Sequence, residues 1–275
     1  MPPKLDPTTA HLSSVYGPVH SWRVGSSLGI DLLLQTSICS FNCIYCQLGD
    51  IQNKTIARQI YVTTDQVERD LRLSAWEEAD IITLSGSGEP TLAENLGEVI
   101  HLIKEYTHKP VMVLTNGTTL ENADVRRDLM DADLVAIKLD AASEKTLQMM
   151  NRPVAGVTLA GIILGATEFR REYKQKPNRK LSLQCMFMPA NLSEVSELAT
   201  LINQIQPDEV QLNTPKRPYP LQWVLDSRGN HNAVEYPAVN LKTLTPQQAE
   251  TLESALAAAI QCPIVSIYNK SHAEK

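Results

Sequence analysis

Six short apolar runs, separated by longer amphipathic stretches, constrain the fold of this chain more than any other feature. The runs are Ile30–Leu34, Ile81–Ser85, Val111–Thr115, Leu134–Lys138, Leu181–Phe187 and Glu209–Asn213. They are nearly continuous rather than alternating, as expected for strands covered on both faces. Between them, Leu96, Val99, Ile100 and Ile103 recur at helical spacing, and Leu198, Leu201, Ile202 and Ile205 do so again. Asp65 with Glu68 predicts a capping box opening a first helix, and Thr245, Pro246 and Gln248 predict the start of a last one. Strands alternating with helices make βαβ units, and right-handed crossovers curl the resulting parallel sheet. The expected fold class is α/β, a partial (β/α)6 TIM-like barrel of parallel strands. We read 1–14 as an N-terminal extension and 15–213 as the barrel. A loop or cap and a C-terminal helix over 214–275 complete the same domain.

The chain has 275 residues, with 25 basic and 31 acidic side chains and a formal net charge of −6. A chain of this length buries enough surface to need no disulfide staples. Its acidic balance runs against a dedicated nucleic-acid binder. No apolar run reaches the ~18–20 residues of a membrane helix. Met1–Pro7 lacks the basic-then-apolar layout of a secretory leader. The expectation is a cytoplasmic protein with no membrane partner. The stretch Thr214–Asn240 holds four prolines, two tyrosines and a tryptophan without helical period, so it reads as a cap or an irregular excursion.

Three of the five cysteines fall within eight residues, Cys39-Ser-Phe-Asn-Cys43-Ile-Tyr-Cys46, just after the first expected strand. An odd cysteine count without a secreted context argues against a disulfide framework. Ligands gather at the carboxyl ends of parallel strands, so three thiols there call for a metal or redox explanation. Three thiolates can hold three corners of a cuboidal 4Fe–4S cluster and leave its fourth iron to a non-protein ligand. The alternatives are zinc, which usually takes a second ligand pair that the sequence lacks, or three unrelated buried thiols. The second expected strand runs into Ser85-Gly-Ser-Gly-Glu-Pro-Thr-Leu92. Glycines there let backbone approach a ligand, and Glu89 offers a carboxylate to an ammonium. Alone, the stretch also reads as a turn and a helix start.

The C-x3-C-x2-C spacing resembles the signature of radical S-adenosylmethionine (SAM) enzymes. The resemblance implies that Cys39, Cys43 and Cys46 ligate one 4Fe–4S cluster whose open iron is chelated by SAM. Reduction then cleaves SAM to methionine and a 5′-deoxyadenosyl radical, which takes a hydrogen atom from the substrate. Tyr45, the aromatic residue before the last cysteine, is implied to lie near the adenine. Gly86, Ser87, Gly88, Glu89 and Pro90 are similar to the family's Gly-Gly-Glu-Pro motif, which contacts the SAM amino group; Ser87 stands where a glycine is common. A reductant such as flavodoxin or ferredoxin is implied as a partner. The likeness extends to Tyr16-Gly-Pro-Val19, Arg23-Val-Gly25, Ser27–Asp31, Cys46–Gly49, Leu114–Gly117, Asn151-Arg152-Pro153 and Gln211–Pro215. These resemble a small group related to the wyosine-type tRNA-modifying synthetases. His20 and Trp22 depart from the proline and arginine expected in that group's Val-Pro-Ser-Arg-Arg block.

Polar residues at other strand ends extend the candidate SAM site: Asn116, Lys138, Asp140, Gln184 and Asn213. Their local alternatives are an Asn116-Gly117 turn and an Asp140 cap for a helix beginning near Ser143. Lys138 is the candidate catalytic residue: a pyruvate Schiff base under a tRNA-modifying reading, otherwise a SAM contact or an ion pair with Asp140. Removing the triad leaves Cys185 and Cys262, too few for the second cluster of the longer wyosine-type proteins. The acidic charge also lacks the pull that tRNA phosphates reward. A small-molecule substrate is therefore favoured over tRNA. Arg170, Arg171, Lys174, Lys176, Arg179 and Lys180 read as a solvated face. The rival from another class is a non-catalytic iron–sulfur module.

Overall fold

The structure is a computed structural model and describes residues 12–223, 225, 228 and 236–267. Strands β1 (Val15–Ser21) and β2 (Gly25–Ile30) form an antiparallel hairpin. Two short strands, β3 (Ile38–Cys39) and β4 (Asn53–Lys54), bracket the cysteine loop. Helices and strands then alternate: α1 (Thr64–Arg72), β5 (Ile81–Leu84), α2 (Leu96–Thr107), β6 (Val111–Thr115), α3 (Ala123–Leu129) and β7 (Leu134–Lys138). They continue through α4 (Glu144–Met150), α5 (Leu159–Tyr173), β8 (Lys180–Met186), α6 (Val195–Ile205) and β9 (Glu209–Asn213). A ribbon of β10 (Tyr219–Pro220) and β11 (Ala238–Val239), then α7 (Pro246–Ala259) and β12 (Ile264–Ser266), complete the described chain.

The main sheet has the order β1-β2-β5-β6-β7-β8-β9-β12, and every neighbouring pair is parallel except β1 with β2. It is the curled sheet of a partial TIM-like barrel. Period-two alternation separates its faces. Ile82, Leu84, Val113, Val135, Ile137, Leu181, Leu183 and Cys185 belong to the main core with the helices. Thr83, Met112, Leu114, Ala136, Lys138, Gln184 and Met186 line a cavity on the inner face. Cys185 therefore lies on the helical side, fully buried. The apolar faces expected for α2 and α6 pack into that core, with Leu96, Val99, Ile100, Ile103, Leu198, Ile202 and Ile205 buried and Leu201 partly buried against it.

The bounds of the first parallel strand and the cap of α1 differ from the sequence reading, and β1 and β12 are edge strands it did not contain. The first barrel strand ends at Ile30, where Ile30–Leu34 was expected to begin it. The Asp31 carboxylate accepts the backbone N–H groups of Leu33 (3.0 Å) and Leu34 (3.3 Å), which turns the chain out of the sheet. Leu32, Leu33 and Leu34 are buried apolar residues without being strand. The strand itself, Gly-Ser-Ser-Leu-Gly-Ile, has weak β propensity. It is held by pairing on both sides, and Gly29 leaves room for the Tyr16 ring of β1, which a Cβ would enter. α1 is capped by Thr63, whose hydroxyl accepts from Gln66 N, instead of by an Asp65–Glu68 box. At α7 the expected Thr245–Gln248 capping box forms.

Candidate functional site

A cavity of about 350 Å³ occupies the inside of the barrel. Cys39, Cys43, Tyr45 and Cys46 form part of its upper wall, together with Gly86, Gly88, Glu89, Asn116, Lys138, Gln184 and Asn213. Loops at the ends of six parallel strands thus meet at one opening. Ser87, Pro90 and Asp140, also singled out from the sequence, are buried behind this wall and do not line the cavity.

The cysteine loop is clamped from two directions. Asn42 N donates to Asn151 O (2.8 Å), Ile44 N to Met150 O (2.9 Å) and Val154 N to Ser40 O (2.9 Å). Asn42 also closes the loop on itself, accepting from Ile51 N and donating to Asp50. Amide groups point at the sulfurs: Asn116 Nδ2 lies 3.5 Å from Cys39 Sγ and Asn151 Nδ2 lies 3.4 Å from Cys43 Sγ. Burial raises all three thiol pKa values, that of Cys46 to about 12; neighbouring thiols add to the rise at Cys39 and Cys46, and Asp140 adds to it at Cys43. Three thiols that resist ionisation alone are ready for a cation that would stabilise their thiolates.

The glycine-rich loop is shaped by chain packing. Ile38 N donates to Ser87 O (2.8 Å) and Glu89 N to Ile38 O (3.0 Å), so the loop pairs with the start of the cysteine segment. Gly88 has φ +153, and a Cβ there would overlap the Ile38 carbonyl. Its glycine is required by that pairing. Ser87 donates through N (3.1 Å) and Oγ (2.6 Å) to Asp31 Oδ2. Glu89 is 2% exposed. Its carboxylate accepts from Thr91 N (3.1 Å), Thr91 Oγ1 (2.7 Å), Thr115 Oγ1 (2.7 Å) and Asn116 N (2.6 Å). Burial pushes its pKa up, and these hydrogen bonds partly oppose the rise. Glu89 thus ties the end of β5 to the end of β6.

Asp140 does a similar job on the opposite side. It accepts from Met186 N (2.8 Å), Asn151 Nδ2 (2.8 Å) and the Tyr45 hydroxyl. It is not a helix cap: Ser143 caps α4. Lys138 Nζ lies 3.9 Å from Asp140 and 5.1 Å from the Tyr45 ring centroid. Its pKa is raised because the charges of Asp140, Cys43 and Cys46 outweigh the opposing effect of its burial. The expected ion pair with Asp140 is present.

Several contributors lay in stretches quoted for the family likeness but had no role assigned to them. Asn151 is the amide that joins Cys43, Tyr45 and Asp140. Asp31 gathers the Ser87 loop and an ion pair from Arg228 (3.1 Å) in the segment after β10, with the Arg228 guanidinium 5.1 Å from the Tyr16 ring. Gly49, three residues past the last cysteine, abuts the backbone of Pro220 and Gln222. The segment after β9 therefore packs on the cysteine loop as a cap where it is described; 224, 226–227 and 229–235 lie outside the described residues. The basic cluster is exposed at Arg171, Lys174 and Lys176 and tied down at its other members. Arg170 makes a two-pronged pair with Asp208 (2.8 and 2.7 Å), Arg179 binds Asp133 (2.6 Å), and Lys180 binds Glu209 (2.5 Å). No helix among the described residues is long and apolar enough to cross a membrane.

The family model of the Radical SAM superfamily matches residues 33–183. A UPF0026 protein of Synechocystis sp. is 45% identical over 255 residues, covering 91% of this chain and 95% of that protein. Among solved structures, Streptococcus suis SuiB bound to S-adenosylmethionine superposes with a TM-score of 0.59 at 13% identity, covering 84% of this chain and 48% of that one. TYW1 with a lysine-pyruvate adduct bound gives 0.57 at 13% identity, covering 85% and 74%. At such identities these two likenesses speak to the fold.

Proposed function

We propose that this chain, which belongs to the radical SAM superfamily, is an enzyme acting on a small molecule by SAM-dependent hydrogen-atom abstraction. The observation that carries the reading is that Cys39, Cys43 and Cys46 face the same cavity as Glu89, Asn116 and Lys138. The donor set fits a cluster with several irons. Three thiols on one wall of the cavity, with amide groups aimed at two of the sulfurs, suit such a body. When bound, a reduced 4Fe–4S cluster and SAM supply a 5′-deoxyadenosyl radical that removes a hydrogen atom from the substrate.

The chain's own residues do the rest. The three cysteines supply thiolates, and Asn116 and Asn151 aim N–H dipoles at two of the sulfurs, which stabilises their negative charge. Tyr45, Gly86, Gly88, Asn116, Gln184 and Asn213 offer the polar and aromatic surface for SAM. Glu89 holds the strand ends in place; one of its oxygens carries three hydrogen bonds and the other one, which leaves that second oxygen room for an ammonium donor. The cavity volume is in the range of small-molecule sites, and Arg170, Arg179 and Lys180 of the basic cluster are already committed to carboxylates. The electron comes from a small redox protein such as flavodoxin or ferredoxin.

The test is anaerobic reconstitution with iron and sulfide, followed by dithionite and SAM. The expected outcome is 5′-deoxyadenosine, lost in each of Cys39→Ala, Cys43→Ala and Cys46→Ala along with the cluster's visible absorbance. A cluster that binds no SAM and yields no product would instead support a non-catalytic iron–sulfur module.

A further inference from the structure

The lower part of the cavity presents a cation that the chain itself leaves unpaired. Arg23 sits in the turn between β1 and β2, at the amino-terminal end of the parallel strands; beside it, a Cβ on Gly25 would meet Asp80 just before β5. The six residues of β2 separate this floor from the cysteine loop, a rise of roughly 17 Å at about 3.3 Å per step. Arg23 lines both the main cavity and a second one beneath it of about 330 Å³. Its Nε is enclosed and has no hydrogen-bond partner. Among the described residues no carboxylate lies within ion-pair distance of its guanidinium, whose one recorded contact is the Trp22 ring, 5.1 Å away.

Acids near the floor are already committed. Glu209 is bound by Lys180 (2.5 Å), Ser182 Oγ (2.8 Å) and Gln211 Nε2 (2.9 Å), and Asp80 accepts from Ser26 N (2.8 Å). Above Arg23, Gln184 lines the cavity with an enclosed Nε2 that also lacks a partner. Lys138, paired in register with Gln184, feels the charge of Arg23. Enclosed, unpaired cations and donors are costly to keep in a fold unless something binds them. Burial lowers the Arg23 pKa to about 10, which leaves it cationic at neutral pH.

We propose that Arg23 forms an anion subsite for the substrate below the SAM level, so that the substrate carries a carboxylate or a phosphate group. The planar guanidinium offers paired donors to either. Holding that group at the floor would aim the rest of the molecule up towards Lys138 and the cysteine loop. The proposal deepens the radical SAM reading and rests on it for the word substrate. Anion binding at Arg23 is measured separately from SAM cleavage, so each can fail alone.

The experiment follows thermal stabilisation of the full chain by inorganic phosphate and by succinate, each against sodium chloride at matched ionic strength. One of the two is expected to stabilise the protein saturably in the millimolar range, and which one does identifies the anion class. Arg23→Gln is expected to raise the half-saturating concentration at least tenfold, Arg23→Lys less so, and Arg171→Gln, on the outer surface, not at all. In reconstituted protein the stabilisation persists with SAM at saturation. No stabilisation by either anion, or equal stabilisation of Arg23→Gln, overturns the proposal. Loss of anion binding when SAM is added also overturns it, by assigning Arg23 to the SAM carboxylate. Should Arg23→Gln fail to fold, Arg23→Lys carries the same comparison.

Discussion

At the mouth of the barrel, Asp31, Glu89 and Asp140 each accept three or more hydrogen bonds from the loops they join. At the floor, the guanidinium of Arg23 has none among the described residues, and its Nε is enclosed. The difference separates two jobs that one cavity has to do. Around the cysteines, loops from several strand ends must hold a fixed shape, and buried carboxylates that collect backbone N–H groups fix it before any ligand arrives. Deeper down, an unsatisfied donor is kept open for something that comes and goes. Acidic residues near the cysteines are therefore framework as much as ligand contacts, and substitutions there should register first in stability.

The sharpest way to break this view is at Gly88. Adding a methyl group drives it into the Ile38 carbonyl and opens the pairing that sets the glycine-rich loop on the cysteine segment. Gly88→Ala is expected to cost about 4 kcal/mol or more, among the largest effects of a single substitution. Gly156 also has positive φ (+89) but nothing within 4 Å of its would-be Cβ. Gly156→Ala meets backbone strain alone and should cost about 1 kcal/mol. Urea midpoints at unchanged m value measure both. Equal costs would mean that the close approach to Ile38 is not what the loop depends on.

Glu89→Gln comes next. An amide oxygen can still accept from Thr91 and Thr115, but its NH₂ then faces the Asn116 N–H. Losing a charged acceptor with one donor left opposed should cost about 2–3 kcal/mol. If Glu89 served SAM alone, the cluster-free protein would be as stable as wild type and only SAM binding would fall.

How much of this was visible in the sequence follows from which interactions are local. Five of the parallel strands, β5 to β9, and the helical faces of α2 and α6 follow from periodicity, because burial on one or both faces writes itself into consecutive residues. The cysteine spacing is local too. What escaped was set by partners far along the chain. β1 has Gly17-Pro18 in its middle and strands only because it pairs with β2 around an irregularity between Tyr16 and Val19. Ile30–Leu34 read as strand because Leu32–Leu34 are as apolar as any core run, while the Asp31 side chain that turns them out looked like an interruption. Asp140 was legible as a polar strand end, but its partner Asn151 follows a helix later and its partner Met186 lies 46 residues away. Ser87 read as a departure from a glycine motif, and its role emerges only with Asp31, 56 residues earlier.

The smallest effect lies outside the cavity and marks where the framework argument ends. Glu194, just before α6, accepts from Ala142 N (2.8 Å), Thr146 Oγ1 (2.6 Å) and the Ser143 hydroxyl, so it steadies the first turn of α4 behind Asp140. Its partial burial pushes the pKa up, but the combined hydrogen bonds from Ser143, Thr146 and Ala142 outweigh burial and hold it below the ordinary value. A carboxyl with a depressed folded-state pKa adds stability above its unfolded pKa and loses it as the pH falls through the folded one. Glu194→Gln should therefore cost about 1 kcal/mol at pH 7, as expected for a part-exposed acceptor. The gap to wild type should close as the pH drops below about 4. Glu89 is the contrasting case, since burial there wins and raises the pKa. Its ionised form is the strained one, so acidification relieves part of that strain. Measured by urea denaturation from pH 7 to about pH 3, the wild-type advantage over Glu194→Gln must shrink with acid; a constant advantage would show that shape, and not the carboxylate charge, holds α4 in place behind the site.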